Sequence, residues 1–288
     1  MRRLRRFLVI PILLAMAATV SSCGEQHRGD VVRIGVNDLP QPHWQVYKNK
    51  AAAAGIAVEF VNFTDYNQPN PALAQRRIDL NKFQHIRYLA NYNVRNNDTL
   101  TPIGATEIYP LTLYSKKHRS VAEVPKGGQV TLSNNPANQV RPLLGLAAAG
   151  LIALKGGPSW DSKLEDVDTA ASKVRLITID PTLTAQSLDS ADAAFVDDTF
   201  ARQAGLTHEQ VIFTDDPQRP ELKQYINVFA ARAADRDDPR LATLVRLYHD
   251  PEVEAAIRAE AGFDGIFQTN DAADLRATLA QLEAKFRG

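Results

Sequence analysis

Ile78-Asp79-Leu80-Asn81-Lys82-Phe83-Gln84-His85-Ile86-Arg87-Tyr88-Leu89 is the most informative stretch of this 288-residue chain. Its rings, Phe83, His85 and Tyr88, fall on a loop and at the start of a short helix read over 84–91. Just upstream, Asp65-Tyr66-Asn67-Gln68-Pro69-Asn70-Pro71-Ala72-Leu73 adds Tyr66. Aromatic rings with polar tips at such positions suit a pocket that takes an apolar side chain and fixes its polar end. Ordinary packing of loops against a core accounts for the same composition equally well.

Outward from this stretch the chain alternates between two periodicities. Residues 31–36, 56–63, 100–106 and 111–116 read as strands, by β-branched content or alternation. Residues 43–54 read as a helix stopped by Gly55, and Asn70 before Pro71 reads as an N-cap with a first-turn proline. Farther on, strands are expected over 129–132, 174–179, 193–197 and 226–231. Helices are expected over 139–151, 199–204 (stopped by Gly205), 239–249, 251–261 and 272–286. Strands alternating with helices predict an α/β protein with a mainly parallel sheet.

Pro142 in Asn138-Gln139-Val140-Arg141-Pro142 lacks an amide hydrogen and is tolerated only in a first helical turn, so it places a helix start beside Arg141. A helix N-terminus offers unpaired donors and partial positive charge, and a guanidinium adds two parallel donors. Together they suit a carboxylate or other small anion. A surface arginine paired with a nearby acid fits the same residues.

The N-terminus carries a separate message. Arg2, Arg3, Arg5 and Arg6 precede an apolar run from Phe7 to Val20, and then come Ser21, Ser22 and Cys23. A basic head, an apolar stretch and small residues describe an export signal over 1–22. The apolar run is shorter than the about 20 residues that span a bilayer. Cys23 after small residues resembles a lipobox, which implies cleavage before it, diacylglycerol on its sulfur and acylation of its new amino group. Residues 23–30 then form a polar tether. Arg5-Arg6 hints at twin-arginine export, but the imperfect spacing favours the general route. Without the four leader arginines, 29 basic residues face 33 acidic ones. A mildly acidic body argues against nucleic acid as a partner.

Enzymatic signatures are missing. There is no nucleophile elbow, phosphate-binding glycine loop, dinucleotide fingerprint or paired-histidine zinc motif. The six histidines are scattered without metal-ligand spacing. No metal or cofactor is expected. The pairs Asp215-Asp216 and Asp237-Asp238 read as loop caps and turns.

Several segments together resemble the NlpA lipoprotein family. The family pattern D-Y-x-x-P-N-x-A-L matches Asp65 to Leu73, and I-D-x-N-x-F-Q-H-x-x-Y-L matches Ile78 to Leu89. Ile103–Thr106, Leu113–Lys116, Pro136–Leu144, Ala149–Ile152, Asp192–Leu206 and Tyr225–Val228 follow in the family's order, across nearly the whole mature chain. The resemblance implies a two-lobed periplasmic-binding-protein fold (type II) with a hinge and a central ligand cleft. Lobe 1 would hold 31–115 plus 229–288, and lobe 2 would hold 116–228. It implies capture of an amino acid, methionine first, and delivery to an ABC permease and its ATPase. The protein would face the periplasm or cell exterior, held to the membrane by lipid on Cys23. Arg141 would take the α-carboxylate, and Asn227 and Asp197 the α-ammonium. Tyr66, Phe83, His85 and Tyr88 would surround the side chain.

Three positions depart from the family. Asp197 stands where Asn is usual, Phe200 where Tyr is usual, and Arg87, read as solvent-facing, where Pro is frequent. A carboxylate at 197 would bind an ammonium directly, and charge-assisted bonds are about twice as strong as neutral ones. It would also repel a ligand carboxylate. A dipeptide or a cationic amino acid therefore stays open as ligand. A secreted enzyme on the same fold and a ligand-independent surface lipoprotein or adhesin also stay open.

Overall fold

A computed structural model describes residues 31–288; the leader and Cys23 lie outside the described residues. The chain begins with β1 (Val31–Val36), α1 (His43–Ala53), β2 (Ala57–Asn62), α2 (Pro69–Ala74), β3 (Leu80–His85), α3 (Ile86–Asn96), β4 (Leu100–Ala105) and the short β5 (Glu107–Ile108). The second region runs through β6 (Thr112–Tyr114), β7 (Gln129–Ser133), α4 (Val140–Ala148), the hairpin β8 (Ala153–Leu154) and β9 (Val167–Asp168), β10 (Arg175–Ile179), α5 (Thr184–Ser187), β11 (Ala193–Phe195), α6 (Asp198–Gln203) and β12 (Val211–Thr214). The chain then returns as β13 (Asn227–Arg232), α7 (Pro239–Tyr248), α8 (Pro251–Arg258), β14 (Ile266–Phe267) and α9 (Ala272–Arg287).

Two five-stranded sheets result, ordered β2-β1-β3-β13-β4 and β10-β7-β11-β6-β12. Each is the centre of one lobe. In lobe 1, β1 alternates so that Val32, Ile34 and Val36 enter a core with Trp44, Tyr47, Phe229 and Tyr248 under α1, α7 and α8. The opposite face packs against α3 and α9 through Leu89, Val228, Leu275 and Leu279. A fully buried side chain such as Phe229 contributes about 1.5–3 kcal/mol relative to exposure. Lobe 2 has its own core around Leu113, Val130, Leu132, Leu143 and Leu146.

The expected mainly parallel sheet is corrected to a mixed one. β1 pairs parallel with β2 and β3, and β7 pairs parallel with β10 and β11. β13 runs antiparallel to β3 and β4, and β6 antiparallel to β11 and β12. The two antiparallel strands are those by which the chain enters one lobe from the other. No helical crossover within the lobe precedes them, so nothing forces them parallel.

The expected lobe boundaries also shift. Thr112–Tyr114 belongs to the second sheet, so the first crossing lies at 109–111 and not after 115. The return comes before 229, because Tyr225 and Ile226 already pack in the lobe 1 core and β13 starts at Asn227. Alternation located these strands but carries no information on which sheet they join.

Local chemistry explains most ends. Gly55 closes α1 at φ 77° and Gly205 follows α6 at φ 67°, left-handed positions that suit glycine. Asp238, Asp250 and Asp271 cap α7, α8 and α9 through backbone amides two or three residues on. One expected cap is corrected: α2 starts at Pro69 after Gln68, and Asn70 lies inside it. The Asn70 side chain instead joins a buried amide network with Asn81 and Gln84 (2.6–3.0 Å). The helix expected from 84 starts at Ile86, because Gln84 and His85 complete β3.

Candidate ligand-binding cleft

A cavity lies between the lobes with about 970 Å³ of empty space, part of it open to solvent. Tyr66, Phe83, His85 and Tyr88 line it from lobe 1, Arg141 and Asp197 from lobe 2, and Asn227 from the start of the return strand. All seven residues named from sequence therefore reach one cavity.

The lobe 1 wall is aromatic. Ring centroids lie 6.1 Å apart for Tyr66–Phe83, 5.8 Å for Phe83–Tyr88 and 6.4 Å for Tyr66–Tyr88, and Phe200 of lobe 2 meets Tyr66 at 5.0 Å. A bulge builds this wall. Against β13, Gln84 pairs with Val228 and Lys82 with Phe229, so Phe83 has no partner in the ladder. A bulge re-aims the extra residue, here into the cleft. The amide network of Asn70, Asn81 and Gln84 holds the strand from behind. The Tyr88 hydroxyl donates to the Tyr66 carbonyl at 3.0 Å. Burial pushes both phenols up, with Asp197 adding to the shift in each, so both stay neutral.

His85 has no ring nitrogen to spare. Its Nδ1 accepts from the Tyr88 amide at 3.0 Å and so caps α3. Its Nε2 then carries the proton and reaches Asn138 Oδ1 of lobe 2 at 3.1 Å. Burial lowers the imidazole pKa to about 3; the Asn138 bond opposes the shift and the Arg141 charge adds to it. His85 is thus a neutral interlobe strut.

Arg141 sits in the first turn of α4, as Pro142 required, and is buried. Its Nε and Nη2 hold both oxygens of Asp215 at 2.7 Å, and Nη2 also donates to the Tyr109 carbonyl at 3.0 Å. The guanidinium lies 5.0 Å above the Tyr225 ring. Only Nη1 keeps its hydrogens for something else. The expected two-donor grip on a ligand carboxylate is corrected to a single nitrogen, and Asp215 is corrected from turn residue to arginine partner. Asp216 does serve a turn, accepting from Gln218.

Asp197 lies two residues beyond β11, at the N-cap of α6. Its backbone carbonyl accepts the first helical amides, but its side chain caps nothing. Its carboxylate has no hydrogen-bond or ion-pair partner among the described residues. Burial raises its pKa to about 6, with the Arg141 charge acting the other way. Burial likewise pushes neighbouring Asp198 up to about 7 against the pull of Arg202, whose Nε it holds at 3.0 Å. Asn227 pairs with His85 across the ladder and leaves its side-chain amide unbonded at the cavity wall.

Sequence reasoning missed a ladder of buried charge beside the cleft. Arg202 of lobe 2 reaches Glu260 of lobe 1 at 2.7 Å, and Glu260 holds His43 at 2.5 Å. Asn37 joins the same junction through Thr199 and Gln203, each at 3.3 Å. Farther into lobe 1, Lys82 and Glu107 pair at 2.7 Å. The partners lie far apart in sequence, 58 residues for Arg202–Glu260 and 217 for His43–Glu260, and no local pattern marks them. Arg87 is also corrected: it is buried, donates to Gln224 at 2.9 Å and covers the Phe286 ring at 5.0 Å.

These features agree with comparisons to known proteins. The D-methionine-binding lipoprotein MetQ of Escherichia coli is 32% identical over 263 residues, covering 88% of this chain and 94% of that protein. A Staphylococcus aureus protein of solved structure superposes with a TM-score of 0.81 at 30% identity, over 87% of this chain and 99% of that one. A nutrient-binding protein from Burkholderia cenocepacia, solved bound to methionine, gives a TM-score of 0.75 at 29% identity, over 82% of this chain and 99% of that one. The NlpA lipoprotein family model matches residues 32–268, and the chain belongs to that family.

Proposed function

We propose that this chain is the substrate-binding lipoprotein of an ABC importer and captures an amino acid, methionine first, between its lobes. One observation carries the reading. A single interlobe cavity brings together a guanidinium nitrogen, a carboxylate and an amide without protein partners, beside an aromatic wall. Arg141 Nη1 meets the ligand carboxylate. Asn227 meets the α-ammonium. Tyr66, Phe83 and Tyr88 enclose the side chain, and a thioether packs well at ring edges. His85 does not act as a base in the cleft, because both its nitrogens are engaged and burial lowers its pKa to about 3.

Delivery to the permease follows from closure around the ligand, and lipid on Cys23 keeps the protein at the membrane on its outer side. Thermal-shift measurement against a panel of amino acids and short peptides tests capture. Methionine should raise Tm, and Arg141→Ala should abolish the rise. A rise retained in Arg141→Ala would remove that residue's role, and no response to any compound would overturn capture.

A further inference from the structure

The charges of the cleft do not balance. Three lining residues carry formal charge: Arg141, Asp197 and Asp198. Arg141 is paired with Asp215 at 2.7 Å, and Asp198 shares Arg202 with Glu260, at 3.0 and 2.7 Å. The remaining titratable groups that face the cavity, Tyr66, His85, Tyr88, Tyr109 and Tyr225, are neutral near pH 7. Of the three, Asp197 alone forms no ion pair among the described residues. A half-buried carboxylate without a partner is unfavourable, so the occupant of the cleft should supply the missing cation.

A zwitterionic amino acid does not supply it. Its carboxylate on Arg141 Nη1 and its ammonium at Asn227 cancel each other, leaving the negative charge of Asp197 in place. Asp197 also stands at the aromatic end: it opens the helix α6, whose Phe200 ring meets Tyr66 at 5.0 Å, and lines the cavity with Tyr66 and Tyr88. Ring faces attract cations, so the wall that would pack a thioether also accepts a positive side-chain terminus. We propose that the cleft is built for an α-amino acid whose side chain ends in a cation, received by the Asp197 carboxylate against Tyr66 and Tyr88. This rests on amino-acid capture in the same cleft and adds the charge of the ligand.

L-Methionine and S-methyl-L-methionine share one skeleton and differ by a methyl group and a permanent positive charge at sulfur. Titration calorimetry of the full chain at pH 7.5 should give a Kd at least tenfold lower for the sulfonium. In Asp197→Asn the preference should disappear or reverse. Methionine binding as tightly as the sulfonium, or more tightly, in the wild-type chain would overturn the inference and leave capture standing. A sulfonium preference unchanged in Asp197→Asn would overturn the role of Asp197. Binding of neither compound would count against both the inference and amino-acid capture.

Discussion

Asp197 should cost the ligand-free protein stability, and the cost should depend on pH. Its carboxyl is raised by burial from an ordinary value near 3.8 to about 6. A raised acid binds its proton more tightly in the folded state, so the folded chain is favoured while the group is protonated. Stability then falls as pH rises from about 4 to about 6, and the loss is complete above that range. The difference between 3.8 and 6 corresponds to about 3 kcal/mol at neutral pH. Water in the cleft screens part of this, which leaves about 1–3 kcal/mol. Asp197→Asn keeps the shape and removes the charge. It should raise the Tm of the ligand-free chain at pH 7.5 by roughly 3–10 °C. The gain should shrink towards zero as the pH falls from 6 to 4. Asp198 titrates in the same region but is present in both proteins, so it largely cancels in the difference. Scanning calorimetry from pH 4 to pH 8 reads the effect. Equal Tm values at pH 7.5, or a difference that grows towards acid, would refute the reasoning.

Two further outcomes follow from the buried ion pairs. Glu260→Gln removes the charge that Arg202 meets across the lobes; hydrogen bonds to charged groups contribute about 1.5–3 kcal/mol, so the closed state should lose roughly ten- to a hundredfold in population. An unchanged methionine Kd together with an unchanged radius of gyration in solution scattering would count against the ladder as a clasp. Burial acts to lower the Lys82 pKa, but Glu107 and Asp38 outweigh it and hold it raised. Glu107→Ala strands that cation and the Tyr248 hydroxyl that donates to Glu107, and should cost about 3–5 kcal/mol in denaturant unfolding; a loss below about 1 kcal/mol would show that the pair is replaceable.

What was legible in the sequence was local. Alternation along Val31–Val36 and Ala57–Asn62, the glycine stop after α1 and the proline beside Arg141 each act within a few residues, and each element formed where its pattern lay. Sheet membership was not legible, because the pattern that makes Thr112–Tyr114 a strand is indifferent to which sheet accepts its hydrogen bonds. The site was legible as residue identities through the family segments, but not as chemistry. Asp215 looked like a turn residue because its partner, Arg141, lies 74 positions away. Phe83 looked like a loop ring, whereas a bulge within a strand projects it. Arg87 looked solvent-facing because nothing in its neighbourhood announces Gln224 and Phe286.

The two sets of buried charge act in opposite directions on closure. The Arg202–Glu260 contact and the His85–Asn138 bond exist only when the lobes meet, so both favour the closed arrangement. Asp197 opposes it: its carboxylate loses part of its hydration without gaining a partner when the lobes come together. A ligand changes this balance only through interactions that differ between the two states. A cation placed against Asp197 is such an interaction, because it removes the one contribution that disfavours closure while leaving the interlobe contacts intact. Deleting the charge at 197 should therefore populate the closed state without ligand, and solution scattering of unliganded Asp197→Asn should show a smaller radius of gyration than the wild-type chain. An identical radius would mean that the lobes are balanced by something other than this carboxylate.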